Sequence, residues 1–251
     1  MTFRLSARTR SVQTRTGAAA LLASLVLAIG LAGCSPPPGP STPAEVLPPA
    51  PEVLAKASDT MAKIKTVGVD VQVDQALSAL PIRSATGKLT AAGESQGSVV
   101  IAQGNSNIEF QFVVAQGALY LKGATGGFQP LPLAMAASVY DPTALMRPDT
   151  GIAALLRTAT GAVTEASDDV NGAPVWRIRA ALDPQIATSV VPGLSGAANG
   201  VVWIEKSTSR LLKAQVQVPV DQTDPKSPTA PVTVSLADFD APVTITAPPV
   251  G

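Results

Sequence analysis

"TVGVDVQVD", residues 66–74, decides the fold: Val67, Val69, Val71 and Val73 alternate with Gly68, Asp70, Gln72 and Asp74. Successive side chains of an extended chain point to opposite faces, so this stretch has one wholly aliphatic face and one polar face, the signature of a strand buried on one side. Upstream, "PEVLAKASDTMAKIK" places Pro51 near a first helical turn and repeats Val53, Leu54, Ala57, Met61 and Ile64 at helical spacing. Downstream, "GKLTAAG" and "GSVVIAQG" read as strands with glycines at their ends. In "NIEFQFVVAQGALYLKG", Ile108, Phe110, Phe112 and Val114 alternate with Glu109 and Gln111, Gln116-Gly117 turns the chain, and Leu119 and Leu121 return. One-sided alternation joined by short turns predicts an antiparallel meander.

The middle of the chain changes character. "DPTALMRPDTGIAALLRTATG" has helix starts at Asp141-Pro142 and Asp149 and an apolar stripe of Ile152, Leu155 and Leu156, which predicts one or two short helices. "DDVNGAPVWRIRAAL" turns into a strand, and "DPQIATSVVPG" is a short helix with Ile186, Val190 and Val191 on its apolar side. Strands resume with a hairpin about Ser207 to Ser209, then "PVTVSLADFD", then "APVTIT". The expectation is a single α+β domain over residues 52–251, with a large antiparallel sheet and short helices packed against it.

Residues 1–33 read as an address. Arg4, Arg8, Arg10 and Arg15 form a basic start without an acid, and Gly17 to Leu31 is an apolar run of about fifteen residues, too short for a spanning helix. Leu31-Ala32-Gly33-Cys34 matches the bacterial lipobox, in which the thiol becomes a diacylglyceryl thioether. Cys34 is therefore the expected lipidation site, and the chain is expected on the extracytoplasmic face of the cell membrane. Residues 34–51 follow as a tether: from Ser35 to Pro51 there are eight prolines, which favour an extended, semi-rigid spacer of about 3 Å per residue.

Composition removes several functions. The chain has no His and one Cys, so Ser-His-Asp and Cys-His catalysis, HExxH zinc sites and an intrachain disulfide cannot be built. Without the signal segment, 14 basic and 18 acidic side chains remain, a net of about −4 that offers no nucleic-acid footprint. Gly93-Glu94-Ser95-Gln96-Gly97 fits a GxSxG pattern, but it lies between two strands and reads as a hairpin turn. Asp168-Asp169, and Asp238 with Asp240, are read as turn and strand-surface residues, and no metal or cofactor site is expected. Trp176 and Trp203 are expected in the core or a cavity wall. What remains is a surplus of aliphatic surface in a chain with only 4% aromatic residues, a combination that can leave an apolar cavity unfilled.

The lipobox, the Pro-rich tether, the helix and strand "VLAKASDTMAKIKTVGVDVQVD", the "LYLKG" strand, "SVYDPTALMRPDTGIAALL" and the hairpin "GVVWIEKSTSRLLKAQVQVP" together resemble mycobacterial envelope lipoproteins of the LppX/LprG type, a group that takes in LprA and LprF. The resemblance spans nearly all of the chain after the signal segment and rests on segment order. It implies a half-barrel antiparallel sheet with helices across it, enclosing an apolar cavity that binds triacylated glycolipids or other long-chain envelope lipids and carries them across the envelope. It also implies a membrane efflux transporter as a partner, and no enzymatic activity. Of functional residues, only Cys34 carries over.

The expected lining follows from strand faces. Val67, Val69, Val71, Val73, Val99, Ile101, Ile108, Phe110, Phe112 and Val114 would supply the sheet side, with Ile152, Leu155, Ile186 and Val190 from the helices. The competing reading is a non-catalytic adaptor lipoprotein with an ordinary packed core that docks a membrane complex.

Overall fold

A strand with one dry face needs neighbours on both edges and a cover on that face, and one sheet supplies the edges. The computed structural model describes residues 45–104, 106–132, 142–190, 194, 198–221, 223–224 and 226–251. Among these residues the strands are β1 (Thr66–Val73), β2 (Ile82–Thr90), β3 (Ser95–Gln103), β4 (Ser106–Ala115), β5 (Ala118–Lys122), β6 (Gln129–Pro132), β7 (Thr160–Val170), β8 (Ala173–Leu182), β9 (Ala198–Glu205), β10 (Leu211–Pro219) and β11 (Thr229–Ala237). They form one antiparallel sheet in the order β6-β5-β4-β3-β2-β1-β11-β10-β9-β8-β7. β1 to β6 meander outward to one edge, β7 to β11 return from the other, and β11 pairs with β1. The valine strand is thus central, and the sheet stays unclosed between β6 and β7 as a half-barrel, the α+β architecture expected.

The helices are short. α1 (Ala50–Met61) precedes β1, a 3-10 helix (Pro142–Met146) and α2 (Ile152–Thr158) follow β6, and α3 (Pro184–Val190) follows β8. Asp183 starts α3 by accepting hydrogen bonds from the backbone N–H groups of Gln185 (2.9 Å) and Ile186 (3.1 Å), with Pro184 in the first turn, where its missing N–H costs nothing. α1 lies on α2 closely enough that Ala57 is fully buried and the Ser58 hydroxyl donates to the Ala153 carbonyl at 2.8 Å. The helices pack over β7, β8 and β9 and, through the 3-10 helix, over β2. Leu54, Met61, Val67, Leu89, Ile178 and Val232 belong to the core that results.

Three features depart from the expectations. β6 and β7 carry little strand signal in the sequence, since Pro130 and Pro132 argue against a ladder in the first and Thr, Glu, Ser and Asp dilute the alternation of the second. "APVTIT" is extended but forms no strand: Val243, Ile245 and Ala247 pack on Val113, Ala115, Tyr120 and Phe128 on the outer face of β4 and β5. Gly87 and Gly97 do not end their strands but face each other inside β2 and β3. A Cβ on Gly97 would lie 2.0 Å from the Thr86 carbonyl oxygen, and one on Gly87 would lie 2.7 Å from that of Gln96. Two backbones approach this closely only where a sheet is sharply bent, so the pair marks a corner of the half-barrel.

Candidate functional site

Register settles which side chains share a face. Across the sheet Val69 pairs with Gly87, Gly87 with Gly97, Gly97 with Phe112 and Phe112 with Leu121. The next row on the same face runs Val71, Ala85, Val99, Phe110, and Ile101 pairs with Ile108 beyond it. Val67, Leu89, Ser95, Val114 and Leu119 complete the opposite end. All ten sheet residues expected to line a cavity therefore stand on one face. On β3 to β5 that face carries no ionisable side chain, while Glu109 and Lys122 point to the other.

The face divides into two environments. Val67, Val69, Ile152 and Leu155 are buried in the helix-covered core, and Val71, Val73 and Ile186 pack against it half-buried. Phe112, Val114 and Leu119 form a separate cluster with Val99 and Leu121 against them. Ile101, Ile108 and Phe110 are half-buried. Val190 is the last residue of α3, its side chain outside the described set, as is Cys34. Leu89, Leu119 and Leu121, which the strand alternation did not single out, stand on the same face. Leu119 and Leu121 belong to the returning strand β5 and pair with Val114 and Phe112.

The remaining candidates resolve locally. Gly93 takes φ 87° in the β2–β3 turn, whereas Ser95 is the first residue of β3, fully buried, so no exposed nucleophile exists there. Trp176 lies on the covered face with the Lys206 ammonium 3.8 Å from its ring centroid, whereas Trp203, expected inside, lies on the outer face between Arg177 and Lys213. Its neighbours impose this, because the buried Val202 and Ile204 leave the residue between them pointing outward. Asp168 accepts from the Asp169 backbone N–H, the Trp203 indole N–H and Arg177, and these donors hold its carboxyl below the usual range. Asp238 and Asp240, expected on a strand face, follow the end of β11 with φ of 50° and 57° and pair with Lys88 (3.9 Å) and Arg210 (3.2 Å). Among the described residues no group of three or more His, Cys, Asp or Glu is placed to hold a metal ion, and no helix is long and apolar enough to cross a membrane.

An open antiparallel half-barrel with an uncharged, aliphatic face beyond its helix-covered core is a surface that can bury hydrocarbon and offers no acid, base or nucleophile. The family description of LppX_LprAFG lipoproteins matches residues 49–245, from the start of α1 to the segment packed on the outer face. The chain belongs to this lipoprotein family. Family members among its relatives include the lipoarabinomannan carrier protein LprG of Mycobacterium leprae, 28% identical over 236 residues that cover 92% of this chain and 95% of that protein. The LprG protein of Mycolicibacterium smegmatis is 30% identical over 209 residues, covering 80% and 84%. Among solved structures, LprF from Mycobacterium bovis superposes with a TM-score of 0.67 at 22% identity over 79% of this chain and 96% of its own. LppX from Mycobacterium tuberculosis gives 0.54 at 16% identity over 78% and 98%. These two likenesses show the fold.

Proposed function

We propose that this family member is a non-catalytic carrier that shields the acyl chains of an envelope glycolipid against the aliphatic face of its half-barrel, while a lipid anchor at Cys34 keeps it on the extracytoplasmic face of the membrane. The observation that carries the reading is the continuation of one apolar face from the helix-covered core across Val99, Phe110, Phe112 and Leu121 of β3 to β5. Each methylene removed from water contributes about 0.8 kcal/mol, so an acyl chain of roughly fifteen methylenes supplies about 12 kcal/mol before ordering costs. That is ample for a carrier, and the relatives named as lipoarabinomannan carriers support a glycolipid as cargo. A polar headgroup would remain in water, and delivery to a membrane efflux transporter would follow release.

Organic extraction of the purified protein followed by mass spectrometry tests this reading. Acylated glycolipid near one molecule per chain is expected. Its absence, together with no ester hydrolysis, would instead favour an adaptor that docks a membrane complex through a filled core.

A further inference from the structure

The chain enters the domain along a fastened path. Ahead of α1, Lys206 donates to the Glu45 carboxylate at 2.6 Å and to the Ser167 hydroxyl of β7 at 2.6 Å, and its ammonium stands 3.8 Å from the Trp176 ring centroid. A single surface ion pair contributes little, whereas a carboxylate, a hydroxyl and an aromatic face converging on one half-buried ammonium form a network. Three residues on, the Thr164 hydroxyl of β7 donates to the Pro48 carbonyl at 2.8 Å, and the Pro49 carbonyl accepts from the backbone N–H groups of Glu52 and Val53.

Between these two fastenings Val46 and Leu47 face solvent. Val46 is 89% exposed, more than any other large hydrophobic side chain among the described residues, and Val163, next to Thr164 in β7, is exposed as well. Lone exposed aliphatics are ordinary on a protein surface. A valine and a leucine held outward by bonds on both sides are a presented surface, and the nearest acid of β7 is neutralised, since Glu165 pairs with Arg177 and Arg179.

What this surface meets follows from the length of chain before it. Residues 34–44 separate the expected lipidation site from Glu45 and include five prolines. Chain of that composition spans about 3 Å per residue, so an acylated Cys34 would keep Val46 and Leu47 within about 30 Å of the bilayer. At that range the effective concentration of the lipid surface is on the order of millimolar, and a contact too weak to bind alone persists.

We propose that Val46 and Leu47, with Val163, contact the lipid surface, so that the Lys206 latch turns the β7 lip of the half-barrel toward the membrane. The proposal rests on the anchor reading for Cys34; the latch and the exposed pair do not.

The test couples Cys34, the one thiol of the purified full chain, to a maleimide lipid in phosphatidylcholine nanodiscs that also hold a nitroxide headgroup lipid, and reads valine and leucine methyl signals. Signals of Val46, Leu47 and Val163 should be lost, whereas Val250, 59% exposed beside Phe128 at the other edge of the sheet, keeps its intensity. Replacing the pair together, Val46→Asp with Leu47→Asp, should restore the Val163 signal, and an unchanged signal from the buried Val232 shows that the fold persists. Lys206→Met, which keeps an aliphatic stem over Trp176 and cuts the bond to Glu45, should restore it in part. No losses, equal losses at Val46 and Val250, a Val163 loss unchanged by the double substitution, or losses that need two copies per disc would each overturn the proposal. Chemical coupling makes the outcome independent of natural acylation, which fractionation of Cys34→Ser tests separately.

Discussion

Replacing Val99 with Trp probes the aliphatic face where the described helices do not cover it. Val99 stands between Ala85 and Phe110 and packs half-buried against the Phe112–Val114–Leu119 cluster. If an acyl chain lies against this face, the indole occupies the place of about three methylenes, worth roughly 2.4 kcal/mol at about 0.8 kcal/mol each, which converts to an affinity roughly 50-fold weaker. Overpacking should cost no more than about 1–3 kcal/mol of stability, so the fold persists. The control is one residue away: Val100 pairs with Ser84 and Glu109 and points to the outer face, so Val100→Trp makes the same chemical change on the wrong side of the sheet. The assay is bound lipid per chain after extraction, alongside competition with a fluorescent long-chain fatty acid. A Val99→Trp protein with wild-type lipid content, or a Val100→Trp protein that loses as much, would refute the placement of the lipid.

Cys34→Ser should move the protein from the membrane pellet to the soluble fraction, since it removes the thiol that would carry the acyl chains; unchanged fractionation would remove the anchor from the reading. Gly97→Ala should destabilise by at least about 3 kcal/mol, because the new methyl would sit 2.0 Å from the Thr86 carbonyl oxygen. Ser98→Ala beside it should stay within about 1 kcal/mol in the same denaturant melt. Asp168, whose carboxyl is held low by the Asp169 N–H, the Trp203 indole and Arg177, should make a small contribution that is present above the ordinary carboxylate pKa and lost as pH falls through its depressed value. Asp168→Asn should therefore lower the thermal midpoint near neutrality, with the gap to wild type closing as the pH falls below the ordinary carboxylate range. A gap independent of pH would contradict the assignment.

What could be read from the chain was whatever depends on near neighbours. The alternation at Val67–Val73 and at Ile108–Phe112 reports burial of one face, and one buried face is what those stretches have, although the end of β4 at Val113 and Ala115 is covered on its outer face as well. The same signal misled at Val243, Ile245 and Ala247, because an extended segment packed on a sheet alternates just as a strand does without joining the ladder. β7 escaped because it is an edge strand whose exposed side carries Val163 and Glu165 and whose pairing with β8 shifts register twice. The pairing of β1 with β11, which makes the valine strand central, joins segments about 160 residues apart, and no local pattern encodes it. Gly87 and Gly97 looked like strand ends because their role exists only once β2 and β3 are side by side.

The open edge of the half-barrel follows from the residues on its two lips. β6 contributes Pro130 and Pro132, which pair with Tyr120 and Ala118 of β5 and have no N–H to offer another strand. β7 contributes two register irregularities and the acids Glu165, Asp168 and Asp169, which twist and charge the other edge. Closure between β6 and β7 would need a continuous ladder that neither lip can form. Closure would leave the inner face reachable only from the ends of the barrel. The same prolines and bulges that protect the edges from aggregation thus keep the sheet itself from closing over its apolar face.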